Sequence, residues 1–230
     1  MVHFTLFGIP VYIRPSFWVV LAIFGGALSI SSVEDLIYPA LFVIAGFIAI
    51  LSHEMGHALV GRRLGGGQQT IVLELFGGLT SSHGMQLTRG GRALMILAGP
   101  MMTLLLGIIS LWLTWNIVAP VMASHNLDFW DLAISPFTAA LISPKLYILS
   151  CLIMIGEWWT RLNLLPIYPL DGGLLIAQYI RSPRKVFMTG VITAILIGLL
   201  SFQLFHGYFI PIFMALFAYS NYREYKNAPF

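Results

Sequence analysis

Apolar residues run along this chain in long blocks, with polar positions gathered between them. Blocks of helical length occupy roughly Phe17 to Ile30, Ile37 to Val60, Ala93 to Val118, Lys145 to Leu165, Val186 to Leu204 and Tyr208 to Tyr219. A helix needs ~20 mostly apolar residues to cross a bilayer. The pattern therefore predicts an all-α polytopic membrane protein with about six transmembrane helices. The first span is short and is weakened by Gly25-Gly26, and the fourth is followed by a stretch broken by proline and glycine. One segment departs from helix. Thr70, Ile71, Val72, Leu73, Glu74 and Leu75 form a β-branched run before Gly77-Gly78, which predicts a short membrane-associated β-strand or hairpin after the second span. Val121 to Pro144 reads as an interfacial cap. There is no internal repeat and no low-complexity tract, so residues 1–230 read as one transmembrane domain. A PDZ or similar soluble module would need about ninety further polar residues, which no stretch supplies.

Composition supports lipid as the solvent. The chain is 58% hydrophobic and 9% charged, with a mean hydropathy of +0.87. Soluble domains are about a quarter charged. Met1 to Val11 has no basic n-region and no cleavage site follows, so insertion is expected to use the mature helices. The single cysteine, Cys151, excludes an internal disulfide. The pI is about 9.1, yet the basic residues do not cluster as a nucleic-acid surface would require.

Their placement orients the map instead. If Arg14 lies on one side, six spans put Arg62, Arg63, Arg89, Arg92, Arg181, Arg184, Lys185, Arg223 and Lys226 on that same side, with Arg161 nearest it. The other side receives Lys145 with Glu34, Asp35, Asp128 and Asp131. The positive-inside rule makes the arginine-rich side cytoplasmic. The expectation is a multi-pass cell-membrane protein with both termini and the site opening in the cytoplasm.

Chemistry enters in the second span, at His53-Glu54-Met55-Gly56-His57. Residues four apart share a helix face, so both imidazoles can aim at one point and suit a zinc ion. Glu54 stands beside that point and can accept a proton from water. A pair of packing histidines is the bland alternative. Each ionisable residue inside a span costs about 2.5–3.5 kcal/mol or more, and a divalent cation would compensate. A third ligand is needed. Glu74 and His83 lie in the cytoplasmic segment, Glu157 lies in the fourth span, and Asp171 follows Asn163-Leu164-Leu165-Pro166-Ile167-Tyr168-Pro169-Leu170. Broken backbone at membrane depth is tolerated where it is buried in protein or lines a watery cavity, which favours Asp171. Its other reading is a helix N-cap for Gly172 to Ile180.

The H-E-M-G-H helix, together with N-L-L-P-I-Y-P-L-D-G-G, resembles the site-2 protease family of intramembrane zinc metalloproteases. Leu75 to Gly78 (L-F-G-G) and Ala98 to Pro100 (A-G-P) match it as well. The resemblance runs from the second span through Gly173. It implies one Zn2+ per chain held by His53, His57 and Asp171, Glu54 as catalytic base, and Asn163 lining the site as a holder of substrate or oxyanion. It also implies transmembrane proteins as substrates. The chain departs from the family at Thr103 and at Gly156 to Trp159, where many members carry asparagine. A membrane substrate would have to unwind, and the Thr70 to Leu75 strand is expected to pair with it. The rival readings are a zinc transporter and a non-proteolytic, substrate-binding homologue.

Overall fold

The computed structural model describes residues 1–75, 77–84, 86–125 and 129–229. In chain order the elements are β1 (Val2–Leu6), β2 (Ile9–Ile13), α1 (Pro15–Phe24), α2 (Ile37–Gly65), β3 (Gln68–Glu74), β4 (Gly77–His83), α3 (Arg89–His125), α4 (Phe129–Ile134), α5 (Pro136–Ala140), α6 (Pro144–Asn163), α7 (Asp171–Ala177), α8 (Pro183–Phe205) and α9 (Phe209–Asn227). Two single 3-10 turns lie between α1 and α2. Proline opens α1, α5 and α8, where its missing N–H costs nothing. The chain divides into two compact units, Met1–Thr160 and Arg161–Phe230.

Helix forms at all six expected places, but among the described residues three helices are long and apolar enough to cross a membrane: Ile37–Gly65, Arg89–Ala119 and Pro183–Leu204. The count of about six is not confirmed. The first expected span is a ten-residue helix, about 15 Å long, and Gly26 then turns the chain at φ +87°. Helix α6 carries Lys145, Glu157 and Arg161, and the second half of α9 carries Arg223, Glu224 and Lys226. The expected cap also differs. Helix α3 continues to His125, and two short helices follow at 129–134 and 136–140. Residues 126–128, with Asp128, lie outside the described residues.

In the first unit, the expected strand is one of four, in the order β1-β2-β3-β4. The N-terminal hairpin was not anticipated. Its two-residue turn puts Phe7 at φ +49° and Gly8 at φ +76°, the left-handed pair that suits the twist of a tight hairpin. A phenylalanine there gives no Asn-Gly signal. Arg62 donates to the Phe7 carbonyl at 2.8 Å and ties the turn to α2. Strand β2 pairs parallel with β3, and β3 pairs antiparallel with β4. Alternate residues Ile9, Val11, Ile13, Ile71 and Leu73 are buried and pack with Ile50, Leu51, Met55 and Ala58 of α2, as the period of two requires.

This topology corrects one expectation. Over Ile71–Leu73, β3 has β2 on one side and β4 on the other. Both rows of backbone hydrogen-bonding groups are used, so the Thr70–Leu75 segment offers no edge there for an added strand. The edges of the sheet are β1 and β4.

The second unit is built on the α8–α9 hairpin. Ile167, Ala194 and Met214 form its buried core, with Leu162, Leu165, Leu170 and Phe217 packed around them.

Candidate metal centre

Helix α2 carries His53, Glu54 and His57, all buried. The i, i+4 spacing brings the two imidazoles together, with ring centroids 4.8 Å apart. Their Nε2 atoms lie 3.1 Å from each other. The Nδ1 of His57 stands 2.8 Å from the main-chain oxygen of Met95 on α3. A carbonyl only accepts, so Nδ1 carries the proton and the Nε2 lone pair faces His53. Two Zn–N bonds of ~2.0–2.1 Å at a tetrahedral angle separate their nitrogens by about 3.3 Å. The pair therefore fits a zinc ion in donor type and spacing, and His57 fits it in tautomer as well.

Close helix packing makes this possible. A Cβ on Gly56 would come within 2.4 Å of the Ala98 carbonyl oxygen. A Cβ on Gly99 would lie 2.3 Å from His57 Nε2 and 2.9 Å from His53 Nε2. Gly99 thus leaves open the space in front of the ligating nitrogens, which is the physical content of the Ala98-Gly99-Pro100 segment. Gly56→Leu should push α2 from α3 and lower stability by about 1–3 kcal/mol, read as a lower unfolding midpoint in detergent.

Glu54 is held from the sheet. Thr80 on β4 donates from Oγ1 to Glu54 Oε2 at 2.7 Å, and the same hydroxyl lies 3.2 Å from the Glu54 main-chain oxygen. Gly78, two residues earlier on the same face of β4, sits so close that a Cβ would fall 2.2 Å from Glu54 Cγ. The second glycine of L-F-G-G is required here for close approach. Trp159 of α6 packs edge-on to His53, with centroids 6.4 Å apart, and a Cβ on Gly77 would strike its ring.

The remaining expected residues are carried by other elements. Asp171 is the first residue of α7 and is buried; Leu170 is the N-cap, with no side-chain capping bond. A Cβ on Gly172 would meet the Leu164 carbonyl oxygen at 2.2 Å, and one on Gly173 would meet Ile167. These glycines let α7 fold back on the 164–168 segment. Asn163 ends α6 and is 9% exposed. Glu74 forms an ion pair with Arg14 at 2.7 Å on the open face of the sheet, and His83 is exposed at the end of β4.

Sequence reasoning missed Thr80, Gly99 and Asn221. Asn221, buried on α9, donates from Nδ2 to the Tyr168 and Phe217 carbonyls. It thereby anchors the segment that leads to Asp171. Asn221→Ala should cost about 1–3 kcal/mol, measured by thermal unfolding of the purified protein. Two positions carried a signal: Gly99 lies within the A-G-P segment, and Thr80 stands two residues beyond Gly78.

The peptidase family M50 model matches residues 41–205. The chain belongs to peptidase family M50. The match covers α2 from residue 41 onward, the sheet strands β3 and β4, and Asp171. A zinc metalloprotease of Methanocaldococcus jannaschii is 26% identical over 227 residues, covering 94% of this chain and 57% of the relative. A Synechocystis protein named as a zinc metalloprotease is 27% identical over 206 residues, covering 84% of this chain and 48% of its own length. This M50 chain thus spans about half the length of these curated relatives. The solved site-2 protease of Methanocaldococcus jannaschii shares the fold, with a TM-score of 0.60 at 23% identity over 97% of this chain and 94% of that one. Family and donor chemistry agree on zinc as the metal.

Proposed function

We propose that this chain is an intramembrane zinc metalloendopeptidase that hydrolyses peptide bonds within or beside transmembrane segments of other proteins. The observation that carries the proposal is the buried pair of imidazoles on α2 with their Nε2 atoms converging, beside a carboxylate held by a hydroxyl. His53, His57 and Asp171 would hold one zinc ion, and Glu54 would be the general base. All four side chains are buried, and the three ligands are the donor types a hydrolytic zinc site uses.

When bound, zinc supplies Lewis acidity, lowering the pKa of water and polarising a carbonyl. Glu54 takes one proton from the attacking water and returns it to the leaving amine nitrogen. Water and one peptide bond give one carboxyl and one amine group. The Nδ1–H of His57, bound to the Met95 carbonyl, fixes the orientation of that imidazole and keeps its Nε2 aimed. Asn163 would donate its amide N–H groups to the substrate carbonyl or the oxyanion.

A helical substrate hides its carbonyls, so the scissile segment must be extended. The outer edge of β4 would receive it by strand addition, replacing the role first assigned to Thr70–Leu75. A cysteine at Leu79 or Ser81 should cross-link to cysteines near the scissile bond of a substrate, in a protein whose Cys151 has been replaced. Cysteines at Thr70 or Val72 should not. Cross-links confined to β3 would remove the edge assignment. We place the protein as a multi-pass protein of the cell membrane, with its termini and site opening on the cytoplasmic side. The arginine distribution supports this, as does the exposure of large apolar side chains along α3 and α8.

The function is tested on purified protein in liposomes with a model transmembrane substrate. Cleavage that stops on chelation and returns with zinc is expected. Metal flux without cleavage would overturn the proposal.

A further inference from the structure

Among the described residues, both hydrogen bonds of the Thr80 hydroxyl go to Glu54. Its shorter contact, 2.7 Å, runs to Oε2, and the longer, 3.2 Å, to the Glu54 main-chain oxygen. A hydroxyl has one proton to give, so it goes to the carboxylate. Charge-assisted bonds of this kind are about twice as strong as neutral ones. One carboxylate oxygen is thereby committed to the strand, and Oε1 is left for chemistry. Gly78 confines the same side chain by close approach, since a Cβ there would fall 2.2 Å from Glu54 Cγ, 2.5 Å from Cδ and 2.6 Å from Oε1. Two residues on one face of β4 thus fix both the stem and the head of Glu54.

We propose that Thr80 is a positioning residue for the reaction: its hydroxyl holds Glu54 Oε2 so that Oε1 alone addresses the water. The proposal rests on Glu54 being the base. It gives strand β4 a second task. The strand whose outer edge would receive the substrate also carries the hydroxyl that aims the base. A hairpin displaced from α2 therefore leaves Glu54 free to rotate about its three side-chain bonds, and peptide hydrolysis stops even with the metal in place.

The test compares Thr80→Val, which keeps the β-branched shape without the hydroxyl, with Thr80→Ser, which keeps the hydroxyl without the methyl. Each is measured alone and with Glu54→Asp, whose shorter carboxylate cannot reach the hydroxyl. Thr80→Val should lower kcat roughly 10- to 100-fold, as expected for a misaimed catalytic group, with KM and zinc content unchanged. Thr80→Ser should stay within a few-fold of the parent, and Thr80→Val should add little to Glu54→Asp. Any one of the following overturns the proposal: full activity in Thr80→Val, equal impairment in Thr80→Ser, additive losses with Glu54→Asp, or loss of zinc from Thr80→Val. Should Thr80→Val fail to fold, Thr80→Ser and the Glu54→Asp pair still decide it. Full activity in Glu54→Gln would instead remove the base assignment, whatever Thr80 does.

Discussion

Glu54→Gln is expected to leave a folded protein with its full complement of zinc and to slow hydrolysis by at least about 10²–10⁴-fold. Glutamine has the length and shape of glutamate. Its carbonyl oxygen can still accept from Thr80, so the contact between β4 and α2 survives. What disappears is an acceptor basic enough to take a proton from water. Neither neighbouring candidate stands in: His53 and His57 turn their Nε2 atoms toward each other, and Glu74 is engaged with Arg14. The measurement is a pair: metal analysis and the rate of cleavage of a membrane substrate in liposomes. Loss of zinc together with activity would recast Glu54 as a ligand. Retained activity would end its role as base.

Gly99→Ala is expected to weaken zinc binding roughly 10- to 100-fold, the range found when groups supporting a metal site are disturbed, and to take activity with it. One methyl group does this because of where it lands. It would sit 2.3 Å from His57 Nε2 and 2.4 Å from Cε1. His57 has little room to retreat, since its Nδ1 is bound to Met95 on the same helix as Gly99. Either that hydrogen bond breaks or α3 moves away from α2. Gly107→Ala is the control. It lies on the same helix, its Cβ would meet nothing within 4 Å, and alanine is the better helix former by about 1 kcal/mol. Zinc titration of both variants separates the effect of the methyl from that of a changed helix. Equal zinc affinity in the two would contradict the geometry of the site.

The parts of the site legible in sequence were those whose chemistry sits in one short helical segment. His53, Glu54 and His57 are fixed relative to one another by helix geometry alone, so their spacing was enough. The broken backbone before Asp171 pointed to that residue, and the family resemblance added Asn163; no local rule connects either to that helix. Thr80 and Gly99 were not legible as partners, because each meets α2 through tertiary packing across 26 residues or more of chain. Threonine in a strand and glycine in a helix carry no mark of what they touch. The same limit governed the sheet. The Thr70–Leu75 run announced a strand through its β-branched residues, but not that β2 would cover one side of it. That pairing depends on an N-terminal hairpin whose Phe7-Gly8 turn lacks the usual residues. The helices were found because long apolar runs are a strong signal. Their number as spans was not, because α1 is too short and α6 and α9 mix apolar with charged residues.

Zinc content per chain, measured in purified protein alongside Asp171→Ala, bears most directly on the whole account. One zinc per chain in the parent and a marked loss in the variant is the predicted result. A parent protein that binds no zinc from a buffered supply, or a variant that holds it as tightly as the parent, would contradict it.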